Sequence, residues 1–341
     1  MSKLRLIQCG VGGHGKGWII NTTSKSPDFD LVAIVDVVDK QLQESGDAAG
    51  VSPDKRFKTL EEALDKVQAD AVLTVTPPAV HVQHAKLAFA RGLHLLTEKP
   101  LADNLANAKL MLQYAREANK QLVVSQNYRY APFIQKLRQM IAGKELGEFG
   151  HGHLDFYIPA DFTGTFREKM PYVLLVDMAI HHLDLIRAVT GRNIVKVYAK
   201  AFNPAWSWYQ HGAALKMLLE LEGGTYFTYS GDWSGKGRNT TWSGSWRLQC
   251  AEGSLNVEND KIAKWLSPRG WQGGPSETAI DAGQLSDYGL VNTLTTFAEA
   301  IRSGKPAQIS GQDNIWSFGA VMAGVQSSET GQTVDVKELV S

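Results

Sequence analysis

Two cysteines, Cys9 and Cys250, are all that this chain of 341 residues contains. They are too few and too far apart for a disulfide framework or a thiolate metal site. An excess of either charge is also missing. Thirty-five Lys and Arg face 35 Asp and Glu, so no basic field draws nucleic acid or an anionic membrane. No apolar run reaches membrane-spanning length. The stretch Met1 to Gly10 is too short in apolar residues for a signal segment and runs into a glycine loop. Repeats, low-complexity tracts and long charge runs are lacking too. The expectation is a soluble, cytoplasmic protein whose partner is a small molecule, with no nucleic acid and no membrane. With 43% hydrophobic and 21% charged residues the composition is that of a globular protein, and the length exceeds what one core usually supports.

The first third alternates short apolar, β-branched runs with helical stretches, the pattern of a parallel sheet covered on both faces. Strands are expected at Leu4–Cys9, Leu31–Val35, Ala71–Val75, His94–Leu96 and Leu122–Ser125. Helical segments are expected at Trp18–Ser24, Thr59–Val67, Val80–Ala90 and Asn104–Asn119, the last capped by Asp103. After Gln126 a helix at Pro132–Ala142 is followed by longer, aromatic strands. They are expected at Glu148–Ile158, Ile194–Phe202, Ala213–Leu221, Thr225–Asp232, Trp242–Cys250 and Ser254–Glu258, with Glu222-Gly223-Gly224 as a turn. Helical patterns return at Asp177–Val189, Ser286–Arg302 and Asn314–Thr330. The fold class that follows is α/β: a Rossmann dinucleotide-binding domain over residues 1–126, then an α+β domain over 127–341 with a large, mainly antiparallel open sheet. The last helices are free to return to the first domain.

Gly10-x-Gly12-x-x-Gly15, with Gly13 and His14 inside it, follows an apolar strand and precedes a helical segment. That context gives the pattern its meaning. Glycine lets the backbone turn tightly and approach a pyrophosphate, while helix-terminal N–H groups face the anion. Asp36 ends the second strand, twenty-one residues beyond Gly15. A carboxylate there accepts from adenosine ribose hydroxyls and repels a 2′-phosphate, unless it only caps a helix. Val37 and Val38 follow in place of a phosphate-binding Arg or Ser, so NAD is preferred over NADP. Lys16 in the loop argues the other way.

From Thr74 the residues become distinctive: Thr74-Val75-Thr76-Pro77-Pro78, His81, Thr97-Glu98-Lys99-Pro100 and, later, Asp177-Met178-Ala179-Ile180-His181. Taken with the glycine loop, this resembles the glucose–fructose oxidoreductase, inositol dehydrogenase and MocA family over nearly the whole chain. The resemblance implies a nicotinamide cofactor and a sugar or polyol oxidised at a secondary alcohol, with Lys99, Asp177 and His181 as the catalytic trio. It also implies that Thr76, Pro77 and His81 lie along the cofactor and that Glu98 reaches the nicotinamide ribose.

The residues also carry that chemistry by themselves. Removing a hydride from a secondary alcohol needs an acceptor for the hydroxyl proton, and histidine titrates in the right range. Asp177, four residues before His181, shares its face of a helix and can orient the imidazole. Lys99 can stabilise developing alkoxide charge. His182 lies about 100° round the helix, off that face. Asp184 reads as a helix-surface residue, and a metal site from His181, His182 and Asp184 is set aside because hydride transfer needs none. Asn127 and Arg129, past the last Rossmann strand, bind the carboxamide or substrate, or merely fix a linker. Arg167 lines the substrate pocket. Trp206, Trp208, Trp233, Trp242 and Trp246 cluster in the antiparallel region, where aromatics serve subunit interfaces or sugar faces. Interface use is favoured for most of them, and with it a homodimer or homotetramer through the open sheet. An NAD-dependent glycosidase and a non-catalytic nicotinamide sensor remain as rival functions.

Overall fold

The computed structural model describes residues 2–267, 274–283 and 289–341. Its chain divides into two compact units: Met1–Asn127 with Asp287–Ile315, and Tyr128–Ser286 with Trp316–Ser341. In the first unit the apolar runs become β1 (Leu4–Cys9), β2 (Phe29–Val35), β3 (Arg56–Phe57), β4 (Ala71–Thr74), β5 (His94–Thr97) and β6 (Leu122–Val124). They form one parallel sheet in the order β3-β2-β1-β4-β5-β6. Near-continuous apolar strands such as Ala71–Thr74, buried throughout, are what a sheet covered on both faces requires. Strand order reverses between β1 and β4, so their carboxyl ends, Cys9 and Thr74, flank the point where such sheets bind ligands.

The helices of this unit are α1 (His14–Asn21), α2 (Asp39–Ala49), α3 (Leu60–Lys66), α4 (His81–Ala90), α5 (Leu105–Glu117) and α8 (Leu290–Ser303). α1 begins at His14 rather than Trp18, since Gly13 itself occupies the N-cap position. α5 is capped by Asn104, whose side chain accepts from Asn107 N. The expected cap, Asp103, instead accepts from the side-chain amides of Asn104 and Asn107, one position too early to reach the helix amides. The late segment that belongs to this unit packs through Phe297, whose ring stacks on Phe29 at 5.7 Å. Arg302 also pairs with Asp28. The expected helix start at Ser286 lies outside the described residues.

The second unit contains α6 (Pro132–Ala142), a π-helical turn (Leu174–Ala179), α7 (Ile180–Thr190) and α10 (Val336–Val340). α9 (Gly311–Thr330) begins in the first unit and continues into the second. Nine strands form one sheet: β7 (Phe149–Tyr157), β8 (Ile194–Phe202), β9 (Ala214–Leu221), β10 (Thr225–Asp232), β11 (Ser245–Cys250), β12 (Gly253–Glu258), β13 (Lys261–Leu266), β14 (Ser276–Ile280) and β15 (Val334–Asp335). Their order is β14-β13-β12-β11-β7-β10-β9-β8-β15. Every pairing is antiparallel except β7 with β10. Alternation of buried and exposed side chains, as in Ala214–Leu221, leaves one face on the core and the other open. Gly152 on β7 stands opposite Phe227, and a Cβ there would lie 2.2 Å from that ring. The turn before β10 holds Gly223 and Gly224 at φ of 82° and 74°, a conformation that glycine adopts without penalty.

Two expectations change in this unit. Trp233 and Trp246 are core residues, 1% and 3% exposed, because each ring lies on the packed face among Phe162, Tyr209 or Phe227. They are not available to a subunit interface, whereas Trp206 and Trp242 are exposed. The expected single α-helix from Asp177 opens instead with the π-helical turn, so Asp177 precedes α7 while His181 is its second residue.

Candidate functional site

At the carboxyl end of β1 the chain turns on glycines for steric reasons. A Cβ on Gly10 (φ +81°) would sit 2.5 Å from the carbonyl oxygen of Val75, and one on Gly15 only 2.1 Å from that of Gly10. Gly12 packs against Gln41, while Gly13 (φ +48°) has open space around its Cβ direction. Gln8 braces the loop from inside by donating to the carbonyls of Gly10 and Gly15. Asp36 is drawn to the same loop: Oδ2 accepts from Val11 N and Oδ1 from Val38 N, both at 2.9 Å. Asp36 does not cap α2, whose N-cap is Val38. Val37 and Val38 are exposed beside it. Lys16, on α1, pairs with Glu44 of α2.

The Glu98-Lys99 segment meets that loop directly. Glu98 is 7% exposed and accepts from Trp18 Nε1 at 2.8 Å, from His14 Nε2 at 3.2 Å and from Lys99 N at 3.1 Å. Burial alone would raise its pKa, yet the hydrogen bond and charge of His14, the indole donor and the Lys99 charge hold the carboxyl below its usual range. Its oxygens thus bind the start of α1 and the Lys99 backbone. Thr76 packs on Gly10 and its hydroxyl meets Thr74 Oγ1 at 2.9 Å. Pro77 is exposed.

His81 departs from expectation. It is fully buried, with Nε2 3.0 Å from the Thr76 carbonyl and Nδ1 2.9 Å from the Thr97 hydroxyl. Burial lowers its pKa, so the ring is neutral and donates from Nε2 to Thr76. It supports the Thr76-Pro77 backbone from beneath and has no face left for a ribose.

These features fit a dinucleotide. Gly13 and the start of α1 leave an open cradle for a phosphate, and a carboxylate waits at the end of β2. Past β6, Ser125 Oγ and the Gln126 amide are buried without a hydrogen-bond partner among the described residues, polar atoms that a bound group or water would satisfy. Asn127 follows them, half-buried.

In the second unit, Asp177 (14% exposed) accepts from Arg167 Nε at 2.5 Å. The Arg167 guanidinium lies 5.0 Å from the Phe162 ring and 4.7 Å from Phe166, a cation–π sandwich that fixes its direction. His181 is 5% exposed, and its ring lies on Tyr128 with centroids 4.5 Å apart. His182 is turned into the core: Tyr229 OH donates to Nδ1 and Nε2 donates to the Trp242 carbonyl. Burial pushes its pKa down to about 4, which keeps the ring neutral.

Arg129 and Asp184 belong together. Asp184 is not the helix-surface residue expected, and Arg129 is fixed by hydrogen bonds, one of the two readings open for it. They are 5% and 1% exposed and form a bidentate pair, Nε to Oδ2 at 2.5 Å and Nη2 to Oδ1 at 2.6 Å. A carboxylate on a helix reads as solvated in a sequence, and only its partner 55 residues away reveals otherwise. Three side chains were missed by sequence reasoning: Trp18, Tyr128 and Ser317. Trp18 and Ser317 gave no signal, while Tyr128 sat between two residues already singled out.

Residues 4–126 match the model of an oxidoreductase family with an NAD-binding Rossmann fold, and residues 134–256 match the GFO/IDH/MocA C-terminal domain. The chain belongs to the Gfo/Idh/MocA oxidoreductase family. Among relatives of this Gfo/Idh/MocA member, an uncharacterized protein y4oX of Sinorhizobium fredii is 24% identical over 98% of this chain and 96% of its own length. The D-apiose dehydrogenase of Paraburkholderia graminis is 25% identical over 91% of this chain and 84% of its own. Among solved structures, an oxidoreductase from Agrobacterium radiobacter in complex with NAD+, L-tartaric acid and magnesium superposes with a TM-score of 0.89. It is 20% identical and covers 99% of this chain and 100% of that one, a likeness of fold. Among the described residues no helix is long and apolar enough to cross a membrane.

Proposed function

We propose that this Gfo/Idh/MocA member is an NAD-dependent dehydrogenase acting on a secondary alcohol of a sugar or polyol. The observation that carries the reading is the half-buried carboxylate of Asp177 and the buried imidazole of His181, each held by its own neighbour, Arg167 and Tyr128. Titratable side chains are kept this dry and this oriented where proton transfer must be controlled. The nicotinamide supplies the hydride acceptor when bound. His181 takes the hydroxyl proton as the C–O bond becomes a carbonyl. Asp177, its own charge anchored by Arg167, stabilises the imidazolium that results. Lys99 donates to the substrate oxygen and stabilises alkoxide character in the transition state. Gly10, Gly12, Gly13, His14 and Gly15 hold the pyrophosphate, Asp36 the adenosine ribose. Thr76 and Pro77 line the cofactor above His81, Glu98 sets the Lys99 backbone, and Asn127 contacts the carboxamide. NAD is preferred over NADP because the Asp36 side chain, with Val37 and Val38 exposed beside it, offers a ribose hydroxyl an acceptor and a 2′-phosphate no cation. The relative named D-apiose dehydrogenase supports a sugar as the substrate class.

The test is a panel of inositols, aldoses, anhydrosugars and glycosides with NAD+ and NADP+, read at the absorbance of the reduced nicotinamide. His181→Ala should lower turnover by about two orders of magnitude, as loss of a general base does, with NAD+ affinity within twofold. Unchanged turnover in that variant would remove His181 from the mechanism.

A further inference from the structure

The Tyr128 ring lies against His181, and the Arg129–Asp184 pair lies beside it by construction of the chain. Tyr128 and Arg129 are consecutive on one 3₁₀ turn, Asn127–Tyr130. His181 and Asp184 are three residues apart on α7, neighbours on one face of a helix. A single ion pair therefore ties the turn that carries Tyr128 to the helical turn that carries His181. Its far side is locked as well. Ser317 Oγ donates to Asp184 Oδ1 at 2.6 Å, and Arg187 Nη1 donates to that hydroxyl at 2.7 Å. Arg187 in turn gives Nε and Nη2 to Asn193 Oδ1.

Stability does not account for such a cluster. Burying two guanidinium groups and one carboxylate costs desolvation that apolar residues of the same volume avoid, and replacing buried pairs by such residues is often neutral or stabilising. What a bidentate pair supplies is direction, since two parallel N–H···O bonds fix both planes. The tilted contact between Tyr128 and His181, 40° between ring planes, is a favourable aromatic geometry and restricts rotation of the imidazole.

We propose that Tyr128 is a positioning residue for His181 and that the Arg129–Asp184 pair, braced by Ser317 and Arg187, holds Tyr128 in place. This rests on His181 being the proton acceptor. A displacement of about 1 Å in a catalytic group can cost about 100-fold in rate, so a general base gains from a fixed aromatic wall.

The full-length protein is tested as Tyr128→Phe, Tyr128→Ala and Asp184→Asn, each alone and combined with His181→Ala. Tyr128→Ala and Asp184→Asn should lower kcat at least tenfold while NAD+ affinity stays within twofold, and Tyr128→Phe should restore kcat to within threefold of wild type. In the His181→Ala background neither substitution should lower residual turnover by more than twofold, because the group they position is gone. Wild-type kcat in Tyr128→Ala, with His181→Ala inactive, overturns the proposal. So do losses that add fully in the His181→Ala background, as general structural damage would give. Should Asp184→Asn fail to fold, the Tyr128 variants alone decide, since they leave the buried charges intact. Should His181→Ala keep full turnover, the reading of His181 as base fails separately. The imidazole ¹⁵N resonances of His181 then still test the wall: they should move in Tyr128→Ala and stay in Tyr128→Phe, and no movement overturns it.

Discussion

Replacing Glu98 by alanine removes the acceptor for the Trp18 indole N–H, and the structure allows the cost to be worked out. Trp18 is fully buried, so no water can take over that bond. Leaving a buried donor unpaired costs about 1–3 kcal/mol. The other two donors matter less, because the His14 side chain is 62% exposed and the Lys99 amide is only part-buried. About 2 kcal/mol of destabilisation follows, which at about 2–4 °C per kcal/mol is a drop of about 4–8 °C in the melting transition of the first unit. The assay is thermal melting followed by circular dichroism for Glu98→Ala, Glu98→Gln, Trp18→Phe and the double variant Trp18→Phe with Glu98→Ala. Glu98→Gln keeps one acceptor oxygen and should recover about half the loss. In the double variant the orphaned donor no longer exists, so its loss should fall short of the sum of the singles by at least about 1 kcal/mol. Strict additivity, or Glu98→Ala melting within one degree of wild type, would refute the reasoning. The pH dependence has a definite sign. The folded pKa of Glu98 lies below its ordinary value of 4.5, so its contribution is present above that value and is lost as pH falls through the folded value. Glu98→Gln should flatten this acid limb.

His182, neutral in the core with a pKa of about 4 against 6.5, contributes on the order of 3 kcal/mol that is lost as pH falls from 6.5 towards 4. In His182→Gln, melting temperature should depend less steeply on pH in that window, and an unchanged slope would contradict the assignment. Asp36→Ala should weaken NAD+ binding at least tenfold while changing NADP+ affinity much less, measured by cofactor titration. An unaltered ratio of the two dissociation constants would count against Asp36 as the ribose ligand. The open sheet face carries exposed Tyr198 opposite exposed Leu218, and we propose that it mediates self-association. Light scattering should find a dimer or tetramer that Leu218→Asp converts to monomer, whereas a monomeric wild type at micromolar concentration rules this out.

Sequence periodicity located most elements because burial of one face leaves a repeating trace. β1, β8, β10 and α6 begin and end where that pattern does. β3 is two residues long and too short to show a period, while β14, at the sheet's edge, and β13, next to it, carry Glu277, Lys261 and Lys264 and show little apolar alternation. The π-helical turn before α7 has no residue type that announces it. Around the glycine loop, the steric demand met by Gly10 and Gly15 was legible because few residues fit such backbone geometry. Asp184 and His81 were misjudged for a common reason: a polar side chain was assigned to solvent or ligand, and the partners that bury it leave no trace in its local sequence.

The position of β7 has a consequence for how the second unit is made. β8, β9 and β10 pair in chain order, as do β11, β12 and β13, but β7 leaves the ribosome before either group and lies between them in the finished sheet. From Tyr157 until Thr225 it has no neighbour on its β10 side, an unpaired strand of the kind that recruits other chains. Its Gly150-His151-Gly152-His153 stretch is a poor template for such pairing, and the space at Gly152 is later filled by the Phe227 ring. The glycine that weakens the waiting strand is therefore the one its β10 partner needs, so a valine there would invite aggregation during synthesis and obstruct closure of the sheet afterwards.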